Sequence, residues 1–322
     1  MSELLALGVS HKTAPLELRE RVALTEGRSA GVLRELWAHE VLPATAGARV
    51  AIASDVPVGA GLASSAALAV AAARALSLLA DRRVAPRQIA GIAYRAEHDH
   101  VGLRCGVMDQ TIAALAEPGQ ALLIEAASLV TRPVPFRARL LVVDTGVRHT
   151  LSATPYNDRV AECRAALLRL KVELPELLWL AAWPPWWLGR LKHVLPQPLR
   201  NRALHVVGEA TRTRFAAQLL RRSQLTRFGQ LMYESHESCR RLYECSAPEL
   251  DLVVTTAKRA GALGARMTGA GWGGSAIVLV RSRVEEQRVA ATIQRAFRRS
   301  YGRDPVITAV RAAAGARRES VS

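Results

Sequence analysis

The chain has 322 residues, half of them apolar and 22% charged, enough to build two packed domains of a soluble globular protein. No apolar run reaches the ~20 uninterrupted residues of a membrane span, and no basic-then-apolar leader opens the chain, so a cytoplasmic protein with no membrane partner is expected. The formal charge of +16 comes from 44 basic residues, only four of them lysines, spread along the whole length with no zinc knuckle or aromatic-basic RNA signature, which argues against a nucleic-acid partner.

In chain order, residues 3–9 (ELLALGV) read as a strand, followed by a turn and a helical stretch over 16–37. Residues 48–54 read as a second strand, ending in Asp55-Val56-Pro57 and a glycine-rich turn. An Ala/Leu-rich helix is predicted over 66–81, a second over 86–98 and a third opening at Asp109. Strand signals recur at 121–125 and 139–144, and helical spacing at 156–171. The tract 179–187 (WLAAWPPWW) holds four of the six tryptophans around a double proline and reads as a loop on an apolar surface. Helices are predicted over 199–245, 248–261 and 284–301, with a second glycine-rich turn over 265–272 and a strand over 276–280. The tail beyond Ala312 reads as frayed. Strands and helices do not alternate as βαβ units, so the class is α+β. Cys105, Cys163, Cys239 and Cys245 form no CxxC pair and no metal spacing with histidine, and read as reduced, partly buried thiols.

Three stretches carry chemistry. In 57–67 (PVGAGLASSAA), glycines let the backbone approach an anion, and the helix that follows offers unpaired N–H groups and its positive dipole end. Ser64 and Ser65 stand where hydroxyls cap a helix, bond a phosphate or reach Mg²⁺; an ordinary capped glycine turn fits the same residues. In 96–110 (AEHDHVGLRCGVMDQ), Glu97 and Asp109 are acids in apolar surroundings, suited to accepting a proton or holding a hard cation. Asp109 also fits as a helix cap, and His98 and His100 as surface residues. In 267–280 (MTGAGWGGSAIVLV), Gly269, Gly271 and Gly274 match GxGxxG, but a strand follows where a dinucleotide fold needs a helix, which leaves a glycine loop touching substrate or phosphates, or a tight turn.

In this order and spacing the three stretches resemble the GHMP small-molecule kinases, and galactokinases in particular. Residues 144–164 (DTGVRHTLSATPYNDRVAECR) and 228–251 (FGQLMYESHESCRRLYECSAPELD) extend the resemblance, which runs over about 49–280. It implies an α+β, two-domain GHMP kinase fold, ribosomal-S5-like in its N-terminal half, truncated or altered, and ferredoxin-like in its C-terminal half. By position it implies that Gly59, Gly61, Leu62, Ala63, Ser64 and Ser65 bind ATP and that Ser65 and Glu97 lie near Mg²⁺. It further implies that Asp109 is the acid-base group facing the sugar C1 hydroxyl, and that Gly106, Asp109 and Tyr156 touch the sugar. The implied activity is ATP-dependent phosphorylation of galactose by a monomeric enzyme.

Two departures bear on that implication. Galactokinases open with an Arg, a Gly-Glu-His and an Asp that grip the sugar and support the catalytic Asp, and no such motif precedes Pro57. Residues 3–36 resemble instead the opening of glutamyl-tRNA reductase, without that enzyme's cysteine. The expected division is therefore a reductase-like fragment over 1–36, an incomplete ATP-binding domain over 37–145 and a C-terminal kinase domain over 146–322. A degenerate kinase that binds ATP or a sugar without turnover is the alternative.

Overall fold

The computed structural model describes residues 7–9, 32, 34–35, 52–100, 106–125, 128–148 and 155–318. Cys105, most of the reductase-like segment and most of the helix expected over 16–37 lie outside the described residues. The chain forms two compact units: one takes residues 1–58, 63–134 and 312–322, the other 59–62 and 135–311. Apart from residues 59–62 the second unit runs from Pro135, so the strand at 139–144 belongs to its sheet. No helix among the described residues is long and apolar enough to cross a membrane.

In the first unit, β1 (Leu7–Val9) pairs in parallel with β2 (Ile52–Ser54). Three helices follow: α1 (Ser64–Leu79), α2 (Pro86–Arg95) and α3 (Met108–Leu115). Small side chains on α1 (Ala69, Val70 and Ala73) let it pack closely on Ile89, Ala90 and Ala93 of α2 and Ala114 of α3. The helix expected over 86–98 runs on from α2 into a π-helical turn, Ala96–His100. Strands β3 (Gln120–Glu125) and β4 (Val130–Pro135) form a two-stranded sheet. Over its described residues, up to 318, the tail is tied down rather than frayed: Gly315 N–H donates to Ala116 O and Ala316 N–H to Ala113 O, 2.8 Å each. A Cβ on Gly315 would lie 2.7 Å from Ala113 O, so glycine is what permits that approach.

The second unit is built on a four-stranded antiparallel sheet. Its strands are β5 (Arg139–Asp144), β6 (Gly264–Met267), β7 (Ser275–Val280) and β8 (Val306–Val310), in the order β6-β7-β5-β8. The glycine-rich turn expected over 265–272 is therefore a strand up to Met267. The unit's long helices among the described residues are α4 (Tyr156–Leu170), α5 (Leu199–Arg221), α6 (Leu225–Ser238), α7 (Pro248–Arg259) and α8 (Arg283–Tyr301). Leu141, Val143, Ala276 and Val278 of the sheet share a core with Leu250 and Val253 of α7 and with Val289, Ile293 and Phe297 of α8. Truncating a fully buried member such as Leu250 to Ala would cost about 2–5 kcal/mol. Helix α8 carries its own boundary signals: Ser282 Oγ accepts from Glu285 N–H at 3.2 Å, Glu285 accepts from Arg281 N–H at 3.1 Å, and Gly302 ends the helix at φ 67°.

The tryptophan tract is not a loop. It forms two 3-10 turns, Leu180–Ala182 and Pro185–Arg190, the second opened by proline, whose missing N–H costs nothing at a helix start. Trp183 is buried among Ala166 and Leu170 of α4 and Ala203 of α5. Beside this cluster Arg202, 2% exposed, donates to Glu162 and Glu244, at 2.6 and 2.7 Å, and to Leu242 O. Burial opposes its charge, but the two carboxylates more than offset that and raise its pKa.

Candidate active site

Strand register brings the chemistry of the second unit to one end of its sheet. Asp144 pairs with Ser275, so the chain leaves β5 where it enters β7, and residues 145–148 meet the glycine loop 268–274. Thr145 N–H and Oγ both donate to Gly274 O, at 3.0 and 2.6 Å, and Gly274 N–H donates to Val147 O at 2.9 Å. The first glycine loop, residues 59–62, packs on the same surface. Ser275 Oγ donates to Ala60 O at 2.8 Å, and a Cβ on Gly269 would come within 2.8 Å of Gly61 Cα. Two glycine-rich stretches far apart in sequence therefore lie backbone against backbone.

Arg148 completes this cluster, a residue that reasoning from the sequence passed over. Its guanidinium grips Asp144 with two bonds of 2.7 Å, which raises its pKa further, and its Cδ is 3.2 Å from where a Gly59 Cβ would stand. Gly146 N–H also donates to Asp144, at 2.9 Å. The signal lay in the DTGVR run, a cation just past the end of a buried strand. Tyr156 is half-buried at the start of α4, in the same unit.

Helix α1, which opens the 63–134 stretch of the first unit, begins without help. Left-handed backbone recurs at Gly59, Gly61 and Ala63 (φ 69, 70 and 56°), an alternation of φ sign of the kind that anion-binding nests use. Ala63 makes no side-chain cap, and no acid stands in the first turn of α1. A non-glycine residue in this conformation costs about 1–2 kcal/mol. Ser64 and Leu62 are half-buried. Ser65 Oγ is buried and has no hydrogen-bond partner among the described residues. Such a hydroxyl costs about 1–3 kcal/mol unless a ligand satisfies it.

Glu97, 3% exposed, sits in the π-helical turn, and Gln110 Nε2 donates to its carboxylate. Asp109 is half-buried in the first turn of α3. It does not cap that helix, since the capping position is Val107. Among the described residues it has no hydrogen-bond or ion-pair partner, and burial raises its pKa above the ordinary carboxylate value. Gly106 is exposed, and among the described residues no atom stands within 4 Å of where its Cβ would be. His98 and His100 engage Asp99 and Glu35 at 2.8 and 3.1 Å. No cluster of three His, Cys, Asp or Glu occurs among the described residues. The Ser65 hydroxyl and the Glu97 carboxylate are hard oxygens, of the kind that Mg²⁺ takes and a soft metal does not.

Comparison with known proteins fits this geometry. The GHMP kinases N terminal domain matches residues 28–117 and the GHMP kinases C terminal domain residues 216–301. The galactokinase of Chloroflexus aurantiacus is 44% identical over 266 residues, covering 82% of this chain and 68% of the relative. That of Streptomyces coelicolor is 41% identical over 293 residues, covering 88% of this chain and 74% of the relative. The structure of Lactococcus lactis galactokinase complexed with galactose superposes with a TM-score of 0.83 at 26% identity, over 94% of this chain and 79% of that one. Mevalonate kinase of L. major, at 21% identity and a TM-score of 0.59, shares the fold. The chain belongs to the galactokinase family of the GHMP kinases, a family of sugar-kinase phosphotransferases.

Proposed function

We propose that this protein transfers the γ-phosphate of ATP to the C1 hydroxyl of galactose, acting as a monomer in the cytoplasm. The observation that carries the reading is the start of α1, where a glycine loop leads to an uncapped, acid-free helix end with an unbonded, buried Ser65 hydroxyl. Backbone N–H groups around Gly59, Gly61, Leu62 and Ala63, with the Ser64 and Ser65 hydroxyls, hold the phosphates there. Ser65 and Glu97 hold Mg²⁺, with Gln110 orienting the Glu97 carboxylate. When bound, the ion neutralises charge on the phosphates.

Asp109 accepts the proton of the attacking hydroxyl. Its burial supports this, because a carboxylate with a raised pKa is a better base than an exposed one. Gly106, which presents bare backbone, and Tyr156, at the start of α4, contact the sugar. Phosphoryl transfer asks mainly for positioning and charge stabilisation, which the rigid glycine loops and the helix end supply.

The test is ADP release by the purified chain with Mg-ATP, with and without D-galactose, beside Asp109→Asn. Galactose-dependent release that the variant loses supports the proposal. Folded protein that releases no ADP in response to galactose contradicts it.

A further inference from the structure

The surface over residues 168–193 is unlike the rest of the molecule. Of the large apolar side chains that are exposed among the described residues, Leu168, Val172, Leu178, Trp179, Trp186 and Trp187 all fall within it, with Val172 82% and Trp186 81% exposed. Trp183 is 1% exposed and its ring meets Trp187 edge-on at 5.8 Å, which anchors the middle of the tract in the core. Isolated exposed apolar residues need no explanation, but a concentration of this kind marks an interaction surface.

The charges around the indoles say what covers it. Between residues 168 and 193 the basic side chains are Arg169, Lys171, Arg190 and Lys192, against only Glu173 and Glu176. Glu173 is already engaged by Arg190, whose guanidinium also lies over Trp187 at 5.9 Å. An open cavity of about 560 Å³ lies here, lined by Arg169, Val172, Glu173, Arg190, His193 and Val194, so cations and apolar side chains share one depression. A second copy of the chain would bring a like charge of +16 to the contact, which opposes self-association.

We propose that this face adsorbs to an anionic lipid surface. Trp179 and Trp186 sit at the headgroup level, and Arg169, Lys171 and Lys192 face the lipid phosphates. Indoles flanked by cations are the side-chain set that favours the boundary between water and acyl chains. This is peripheral adsorption without a membrane span, and it replaces the expectation from sequence that the chain has no membrane partner. It does not depend on the kinase reading.

The experiment is co-sedimentation of the full chain with phosphatidylcholine vesicles, with and without phosphatidylglycerol. Binding is expected to the phosphatidylglycerol vesicles alone, with a blue shift of tryptophan emission. The double variant Trp179→Ser/Trp186→Ser and the variant Arg169→Glu/Lys192→Glu should each weaken it at least about tenfold at unchanged Tm. Absence of binding to either vesicle would overturn the proposal, as would a tryptophan variant that binds like the parent chain, since net charge alone would then account for adsorption. Concentration-dependent dimers that the tryptophan variant abolishes, without vesicle binding, would also overturn it.

Discussion

Gly61 and Gly269 face each other so closely that a Cβ on Gly269 would stand 2.8 Å from Gly61 Cα and 3.0 Å from Gly61 O. Both have left-handed φ, 70 and 77°. Gly269→Ala therefore meets a steric clash with backbone as well as conformational strain. It should lower stability by about 1–3 kcal/mol and weaken ATP binding by displacing the first loop. Gly302→Ala is the control: its φ is 67°, but among the described residues no atom stands within 4 Å of the added Cβ, so only strain of about 1–2 kcal/mol remains and ATP binding should be unchanged. Urea unfolding and nucleotide titration of the two variants separate the effects.

Asp109 predicts a pH dependence with a definite sign. Because burial raises its pKa, the acidic limb of kcat/KM should lie above the ~4 of an ordinary carboxylate. Asp109→Asn should lose about 10²–10⁴-fold in kcat. A raised carboxyl pKa stabilises the fold below its unfolded value, a contribution lost as pH rises through the folded one. The variant should therefore melt above the parent at neutral pH, and the gap should close below about pH 4.

Arg148 lays its aliphatic stem against Gly59 while Asp144 holds its guanidinium, whose side chain is 42% exposed. Arg148→Met should raise KM for ATP about tenfold, the scale of one lost charged hydrogen bond. Stability should fall as well, because Asp144 is only 4% exposed and would keep its buried charge with Gly146 N–H as its remaining bond among the described residues. An unchanged KM would remove Arg148 from the phosphate site.

His236 ties the second glycine loop to α7. Met267 N–H donates to His236 Nδ1 at 3.3 Å, so the ring proton is on Nε2, which meets Asp251 at 3.1 Å. Ser246 Oγ donates to the same carboxylate at 2.6 Å. Burial would raise the pKa of Asp251, but these two bonds hold it below its ordinary value. The stability it contributes is present above the unfolded pKa and lost as pH falls through the folded one. Asp251→Asn should lower the urea midpoint at neutral pH, and the difference from the parent should shrink below about pH 4.

Much of this was legible in the residues because glycine, proline and small polar residues act locally. The loop 59–65 and the strand after Gly274 follow from conformational freedom and an apolar run, and both stand where the pattern puts them. Strand β4 did not show, since Pro133 and Pro135 argue against a strand until its partner β3 is known. The double proline hid the 3-10 turns of the tryptophan tract for the same reason. Arg148 was invisible as a site residue because its place depends on the Asp144–Ser275 register, a relation between distant strands. Asp109 looked like a helix cap because composition cannot tell a capping position from the first turn inside.

The most direct measurement is ³¹P NMR of the reaction mixture after the chain has been incubated with Mg-ATP and D-galactose. A phosphomonoester resonance at galactose C1 should grow as the γ-phosphate of ATP disappears. Conversion of ATP to inorganic phosphate alone, or no change in its spectrum with folded protein present, would contradict the account.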